Sequence, residues 1–383
     1  MKVQLIFLLA FCCPALGQVS RPQLQWTVNL QESHGLHSFE RPGFPQWLRQ
    51  QGVVFITPDR LAVYQVNESA SPKPLGRRDV NGGAGNFFLD LKILDARDGH
   101  AIKSMRLPTN ASFSQIVPGR NGNLIVRTGD IIYLVSPDSK VLASKPLPLE
   151  RVAPFESWLM DAPPSHTHVV LVHQQIFIHA VVLGDGTIAS PGKSKTDIEI
   201  LDPDTLNAIK TFSVSNYLLR WSIGDRFLVG THPTQPAHAE QFGILDFEGR
   251  WKNLNDNLQD REHCPPVMEA LDHELIAAYG CDGIVVLTQS GHRIFSAKVR
   301  SDELPTSVVS SGNYLVVQFA SQPSPVHTKL QPLHINLYDL NRSADLISIP
   351  LKKTVVYCDV SEQGSLVVLE GVTLRMFGVI SNF

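Results

Sequence analysis

Short apolar and β-branched runs, broken every few residues by Gly, Pro, Asn or Asp, fill this chain and predict strands rather than helices. The clearest set lies between Phe113 and Leu147. It reads as strand A over Phe113 to Val117, B over Asn123 to Arg127, C over Ile131 to Val135 and D over Val141 to Leu147. Arg120-Asn121-Gly122 forms the A–B turn, where Asn-Gly readily takes up positive φ, and Gly129-Asp130 the B–C turn. The same order returns over Pro266 to Leu271, Glu274 to Tyr279, Ile284 to Thr288 and His292 to Val299. A polar turn marks the C–D step each time. The sharpest copies are Leu94-Asp95-Ala96-Arg97-Asp98-Gly99 and Leu201-Asp202-Pro203-Asp204. Weaker ones begin at Val135, Leu245, Leu287 and Tyr338. Self-similarity at roughly 40–50 residues, with several short strands per unit, predicts an all-β fold, a β-propeller of four-stranded blades.

Four units carry insertions between strands B and C: Asn67 to Gly85, Gly184 to Thr196, Thr231 to Glu240 and Ser321 to Gln331. In a propeller the B–C and D–A connections share a face, so these loops are expected around one mouth of the channel. The seventh unit stops after three strands, Val355 to Val360, Leu366 to Leu369 and Val372 to Val379. A missing outer strand leaves an open edge, which closed β folds avoid. Leu24 to Leu30 has the alternation of the other D strands, so the reading is seven blades with the ring closed by the amino-terminal strand.

The start of the chain reads as a leader. Lys2 precedes the apolar run Val3 to Phe11, and Ala15-Leu16-Gly17 offers small residues for cleavage after Gly17. The expectation is a signal peptide over 1–17 and one propeller domain over 18–383, exported to the periplasm or the exterior. No later stretch approaches the roughly 20 apolar residues of a membrane helix. Residues are 43% hydrophobic and 18% charged, with net charge -3, which leaves no electrostatic footprint for nucleic acid. A monomer is expected.

These turns and repeats resemble the WD40/YVTN-like and quinoprotein-like propeller superfamily, specifically exported bacterial propellers of unassigned function. The resemblance covers nearly the whole mature chain and rests on its Leu-Asp-x-x-x-Gly turns. The Gly-His and Trp-Asp dipeptides of eukaryotic WD40 repeats are not repeated, and the quinoprotein turn survives only in part at Ala96-Arg97-Asp98-Gly99 and Pro203-Asp204-Thr205-Leu206. Neither a quinone nor another cofactor is therefore expected.

His166, His168, His173 and His179 crowd one unit, but no carboxylate or Cys stands at ligand spacing beside them, so no metal site is assigned. Asp95, Asp98, Asp202, Asp204 and Asp246 are expected to cap their own turns. Serine-elbow, zincin, P-loop and dinucleotide motifs are missing from the sequence. Cys264 precedes one strand and Cys281 follows its neighbour, which predicts a disulfide, with Cys358 a buried thiol. The leading functional reading is a non-catalytic binding or scaffold protein for a protein, peptide or glycan. Its candidate contacts on the inserted loops are Arg77, Arg78, Asp79, Lys193, Lys195, His232, His238 and His327. The alternative is a hydrolase or lactonase working in the channel, with catalytic residues unassigned. Such an enzyme gathers several ionisable groups at one mouth. The inner strands Val53 to Ile56, Phe113 to Val117 and Pro266 to Leu271 carry little charge, which favours binding.

Overall fold

The computed structural model describes residues 22–34, 51–68, 87–109, 114–148, 155–163, 165–176, 181–182, 188–189, 194–215, 217–224, 227–232, 241–254, 267–280, 283–322, 331–352 and 356–379. Seven four-stranded antiparallel sheets stand in a ring, six of them with their strands in chain order from the axis outward, A to D. Blade one holds Gln51–Thr57, Arg60–Glu68, Phe87–Asp95 and Ala101–Thr109, and blade two Gln115–Pro118, Leu124–Thr128, Ile131–Val135 and Val141–Pro146. Blade three holds Phe155–Asp161, Val169–Ile176, Ser194–Leu201 and Ala208–Ser215, and blade four Leu218–Ile223, Phe227–His232, Gln241–Asp246 and Trp251–Asn253. Blade five holds Val267–Ala270, Leu275–Gly280, Gly283–Thr288 and Arg293–Ala297. Blade six holds Glu303–Ser311, Tyr314–Ser321, Pro332–Asp339 and Ala344–Pro350. This is the seven-bladed propeller read from the repeats.

The seventh blade takes Val356–Val360, Leu366–Glu370 and Thr373–Val379 from the carboxyl end and Pro22–Asn29 from the amino end. Pro22 lies opposite Val379 and Asn29 opposite Thr373, with a bulge between Leu24 and Trp26. Ring closure by the first strand is thus as expected. Leu30 is no longer strand. It opens the short helix Leu30–His34, whose first turn is capped by the Asn29 side chain accepting from Gln31 N at 3.0 Å.

The apolar core is divided among the gaps between blades. Ile276 and Ala278 pack toward blade four, while Ala277 and Tyr279 pack toward blade six. Leu124 and Val126 likewise face blade one and Ile125 faces blade three. Successive side chains of a strand point to opposite faces, so a blade covered on both sides needs apolar residues at every position of its middle strands. That explains the unbroken runs in the sequence. One such cluster joins Val367, Leu369, Leu374 and Met376 of blade seven to Val53, Leu61 and Leu94 of blade one, so the packing closes on itself.

The bounds of the insertions differ from the expectation. In blade three strand C begins at Ser194, inside the stretch read as the Gly184 to Thr196 insertion, and a small hairpin pairs Val181–Val182 with Ile188–Ala189. Alternation from Ser194 onward continues the Ile198 and Ile200 pattern, so this part belongs to the sheet. The Cys264–Cys281 pair lies outside the described residues, and Cys358 is a buried thiol at 5% exposure. Among the described residues no helix is long and apolar enough to cross a membrane.

Candidate functional site

The inner A strands enclose a cavity of about 280 Å³ on the axis, reached by Val54, Asp161, Glu269, Asp272, Cys358 and Asp359 among others. No Lys or Arg is among the described residues that line it. Four carboxylates therefore meet at the channel, against the expectation of little inner charge. Two of them stand on the inner strands of blades three and seven, which the sequence reading did not weigh.

Their placement follows a rule of register. Asp161 pairs with Val170, Glu269 with Ala277 and Asp359 with Val367. These are equivalent positions of blades three, five and seven. In the other blades the equivalent pairs use Val54, Val117, Trp221 and Val309. The partners Val170, Ala277 and Val367 all pack against the next blade round the ring, so this position looks forward to that blade's inner strand.

What the carboxylates do there is visible in their hydrogen bonds. Phe55 N of blade one donates to Asp359 Oδ2 at 2.6 Å, and Val360 N donates to Oδ1 at 3.0 Å. Glu269 accepts from Tyr279 Oη at 2.8 Å and from Val308 N of blade six at 3.3 Å. Gly312 N of blade six donates to Asp272 Oδ2 at 2.6 Å, while Asp272 N donates to Ser310 Oγ at 2.8 Å. An innermost strand has no neighbour on its axial edge, so its amides need other acceptors. Neutral side chains do the same elsewhere. Gln115 of blade two donates to Met160 O of blade three and accepts from Met160 N, and Gln174 donates to Leu219 O of blade four. The buried Arg127 of blade two donates to Trp158 O. Asp359, Glu269 and Asp272 are staples between consecutive blades.

Four of the five turn acids, Asp95, Asp98, Asp202 and Asp246, cap their own turns as expected, whereas the Asp204 carboxylate instead accepts from Arg120 of blade two at 2.9 Å. Asp202 Oδ1 accepts from Asp204 N and Thr205 N, Asp246 Oδ1 from Glu248 N and Arg250 N, and Asp98 Oδ1 from His100 N. Asp339, in the weaker turn that begins at Tyr338, holds its turn in the same way through Asn341 N. Asp95, Asp98 and His100 bring ligand-type atoms close together. Both Asp95 oxygens are nevertheless occupied by the Arg97 guanidinium, at 2.9 Å and 2.5 Å, which keeps this carboxyl well below the usual range. A cation beside that guanidinium would meet like charge, so the group fits a capped turn better than a metal.

The histidine cluster does not converge. His173 stacks on Trp158 at 4.2 Å between centroids, and His168 meets the Phe247 ring edge-on at 5.5 Å. His166 sits in the A–B connection of blade three with φ 51°. His179 lies outside the described residues. Among the candidate contacts, Lys195 stands in strand C rather than in a loop and pairs with Asp197 at 3.0 Å. His232 is the last residue of its B strand. Arg77, Arg78, Asp79, Lys193, His238 and His327 lie outside the described residues.

No family model and no curated protein matches the chain. Among solved structures it is similar to the Pan2 WD40 domain of Neurospora crassa, at 10% identity and TM-score 0.52, covering 95% of this chain and 97% of that one. It is also similar to a streptogramin B lyase, at 11% identity, TM-score 0.47 and coverage of 90% and 96%. A third is BamB of Moraxella catarrhalis, at 13% identity, TM-score 0.38 and coverage of 78% and 83%. The chain shares the β-propeller fold of the Pan2 WD40 domain. At these identities the likeness describes the fold alone.

Proposed function

We propose that this is an exported, non-catalytic propeller that holds a protein, peptide or glycan on the face carrying its B–C connections. The observation that carries the reading is the asymmetry of the two faces. Strands pair out to Glu68 with Phe87, Ile176 with Ser194 and His232 with Gln241, so the connections 69–86, 177–193 and 233–240 leave blades one, three and four at one end. The connection 322–331 of blade six leaves at that same end. At the other end most A–B and C–D steps are tight, as at 58–59, 136–140 and 312–313, the A–B connection 162–168 of blade three being longer. Repeat proteins concentrate insertions on a working face. The staple duty of Glu269 and Asp359, with both oxygens of each engaged, further supports binding over acid–base chemistry in the channel.

The channel hydrolase or lactonase remains the second reading, favoured by the four carboxylates around the cavity. One experiment separates the two. Each of the four connections is shortened in turn in the secreted protein, and native-host pull-downs are run beside a panel of lactone and ester substrates. The binding reading expects a retained partner that is lost on shortening at least one connection, with no turnover. Turnover abolished by Asp161→Asn, with partner recovery indifferent to every shortening, would overturn it.

A further inference from the structure

The axial cavity lies toward the A–B end of the channel, away from the inserted connections. Asp161 ends strand A of blade three, Asp272 follows strand A of blade five, and Ser310 stands one place from the end of strand A of blade six. Its volume, about 280 Å³, is just below the roughly 300–1,000 Å³ of small-molecule sites. Val54, Asp161, Glu269, Val309, Ser310 and Asp359 on its wall are half-buried, so the space is in reach of solvent. Two kinds of surface line it. Val53, Val54, Ile116, Leu271, Val308 and Val309 are aliphatic, and Asp161, Glu269, Asp272 and Asp359 are acidic, with no Lys or Arg among the described lining residues.

Stapling alone does not call for that charge. Gln115 bridges blades two and three by donating to Met160 O and accepting from Met160 N, and Gln174 bridges blades three and four. An amide oxygen would accept from Phe55 N or Val308 N as a carboxylate does, and burying it costs less than burying a charge. Yet at one register position blades three, five and seven carry Asp161, Glu269 and Asp359, where blades one, two and six carry Val54, Val117 and Val309. Acid thus recurs on alternate blades around one space. Negative potential in a partly desolvated space with aliphatic walls favours a cation that carries an apolar stem. A bare metal ion fits less well. Among the described residues only Asp95, Asp98 and His100 bring three ligand-type atoms within 4.8 Å of one another, so the channel acids do not close around one ion.

We infer that the cavity is a seat for an organic cation, an ammonium or guanidinium on an aliphatic stem, at the end of the channel opposite the inserted connections. The charged head meets acids of three blades at once, and the stem lies on Val54, Ile116 and Val309. The staples stay in place beneath it, because a carboxylate oxygen accepts more than one hydrogen bond. The seat is independent of any partner held on the opposite face.

Isothermal titration calorimetry of the intact protein tests this with pentylamine, cadaverine and a short, otherwise uncharged peptide carrying one lysine, beside pentanol and calcium chloride. At least one amine should bind at a single site, and pentanol and calcium should not. Binding of a free amine assigns the seat to small amines, and binding of the peptide alone assigns it to a basic side chain of a partner. Asp161→Asn should weaken the amine severalfold, and its combination with Glu269→Gln should weaken it further. Val309→Lys, which carries a cation into the cavity from the chain itself, should abolish binding. No heat from any amine, amine binding that survives all three variants, or calcium binding in place of the amine would overturn the seat. Near-ultraviolet circular dichroism establishes that each variant is folded, and Asp161→Asn with Val309→Lys carries the test if the double variant is not.

Discussion

At the scale of single residues, the chain spends its polar groups on backbone atoms that the propeller leaves without partners. Asp359 offers the clearest measurement. Asp359→Ala strands the Phe55 amide on the axial edge of blade one, and an unpaired buried donor costs about 1–3 kcal/mol. Urea denaturation should register that loss, with Asp359→Asn recovering part of it. A variant as stable as the wild type would show that water replaces the staple. The turn acids make a second, pH-dependent contribution. The Thr205 hydroxyl, followed by the Asp204 and Thr205 amides, holds the Asp202 carboxyl below its ordinary value, and Arg97 does so for Asp95. A carboxylate depressed in the folded state contributes above its unfolded value, about 3.9 for Asp, and that contribution fades as pH falls. The acid limb of stability should accordingly be shallower in Asp202→Asn than in wild type, read from denaturation midpoints across that range. Parallel limbs would remove Asp202 from the account.

At the scale of elements, strand positions were legible because each blade repeats the same demand. Its middle strands are apolar on both faces, and its C–D turn needs a side chain such as Asp95 or Asp202 to accept the turn amides. The channel chemistry was not legible. Asp161, Glu269 and Asp359 share one register position, but Val54, Val117 and Val309 occupy it in other blades, so no repeat-wide pattern announces it. The signal lies in aligning the blades by B-strand register and reading down that column. The disulfide expectation rests on the sequence, since Cys264 and Cys281 lie outside the described residues. Non-reducing peptide mapping of the protein, isolated without reductant, should recover a Cys264–Cys281 peptide and an alkylatable Cys358. The bridge should stabilise by about 3 kcal/mol for so short a loop. A bridge to Cys358, or three alkylatable thiols, would refute the pairing.

At the scale of the whole molecule, stability depends on the ring being closed, because each gap between blades buries apolar surface from both neighbours. The closing strand both completes the seventh blade and packs into the gap toward blade one. Its backbone pairs with Thr373–Val379 from Pro22 to Asn29, while Trp26 Nε1 donates to Ala96 O of blade one at 2.9 Å. Trp26 and Val28 pack with Leu61, Leu94 and Met376, and Leu30 is 2% exposed in the same cluster. Losing one fully buried Leu costs about 2–5 kcal/mol. Removing residues 18–31 forfeits that, the Trp26 contacts and a full ladder of hydrogen bonds together, and it bares the edge of Thr373–Val379 to other chains. The truncated protein should unfold at markedly lower temperature and associate, whereas trimming 380–383 should change little. A synthetic peptide of residues 20–31, added in excess, should restore part of the lost thermal stability by refilling the edge in trans. If the truncated chain melts like the intact one, or the peptide leaves its melting temperature unmoved while binding it, closure by the first strand is not what holds the ring together.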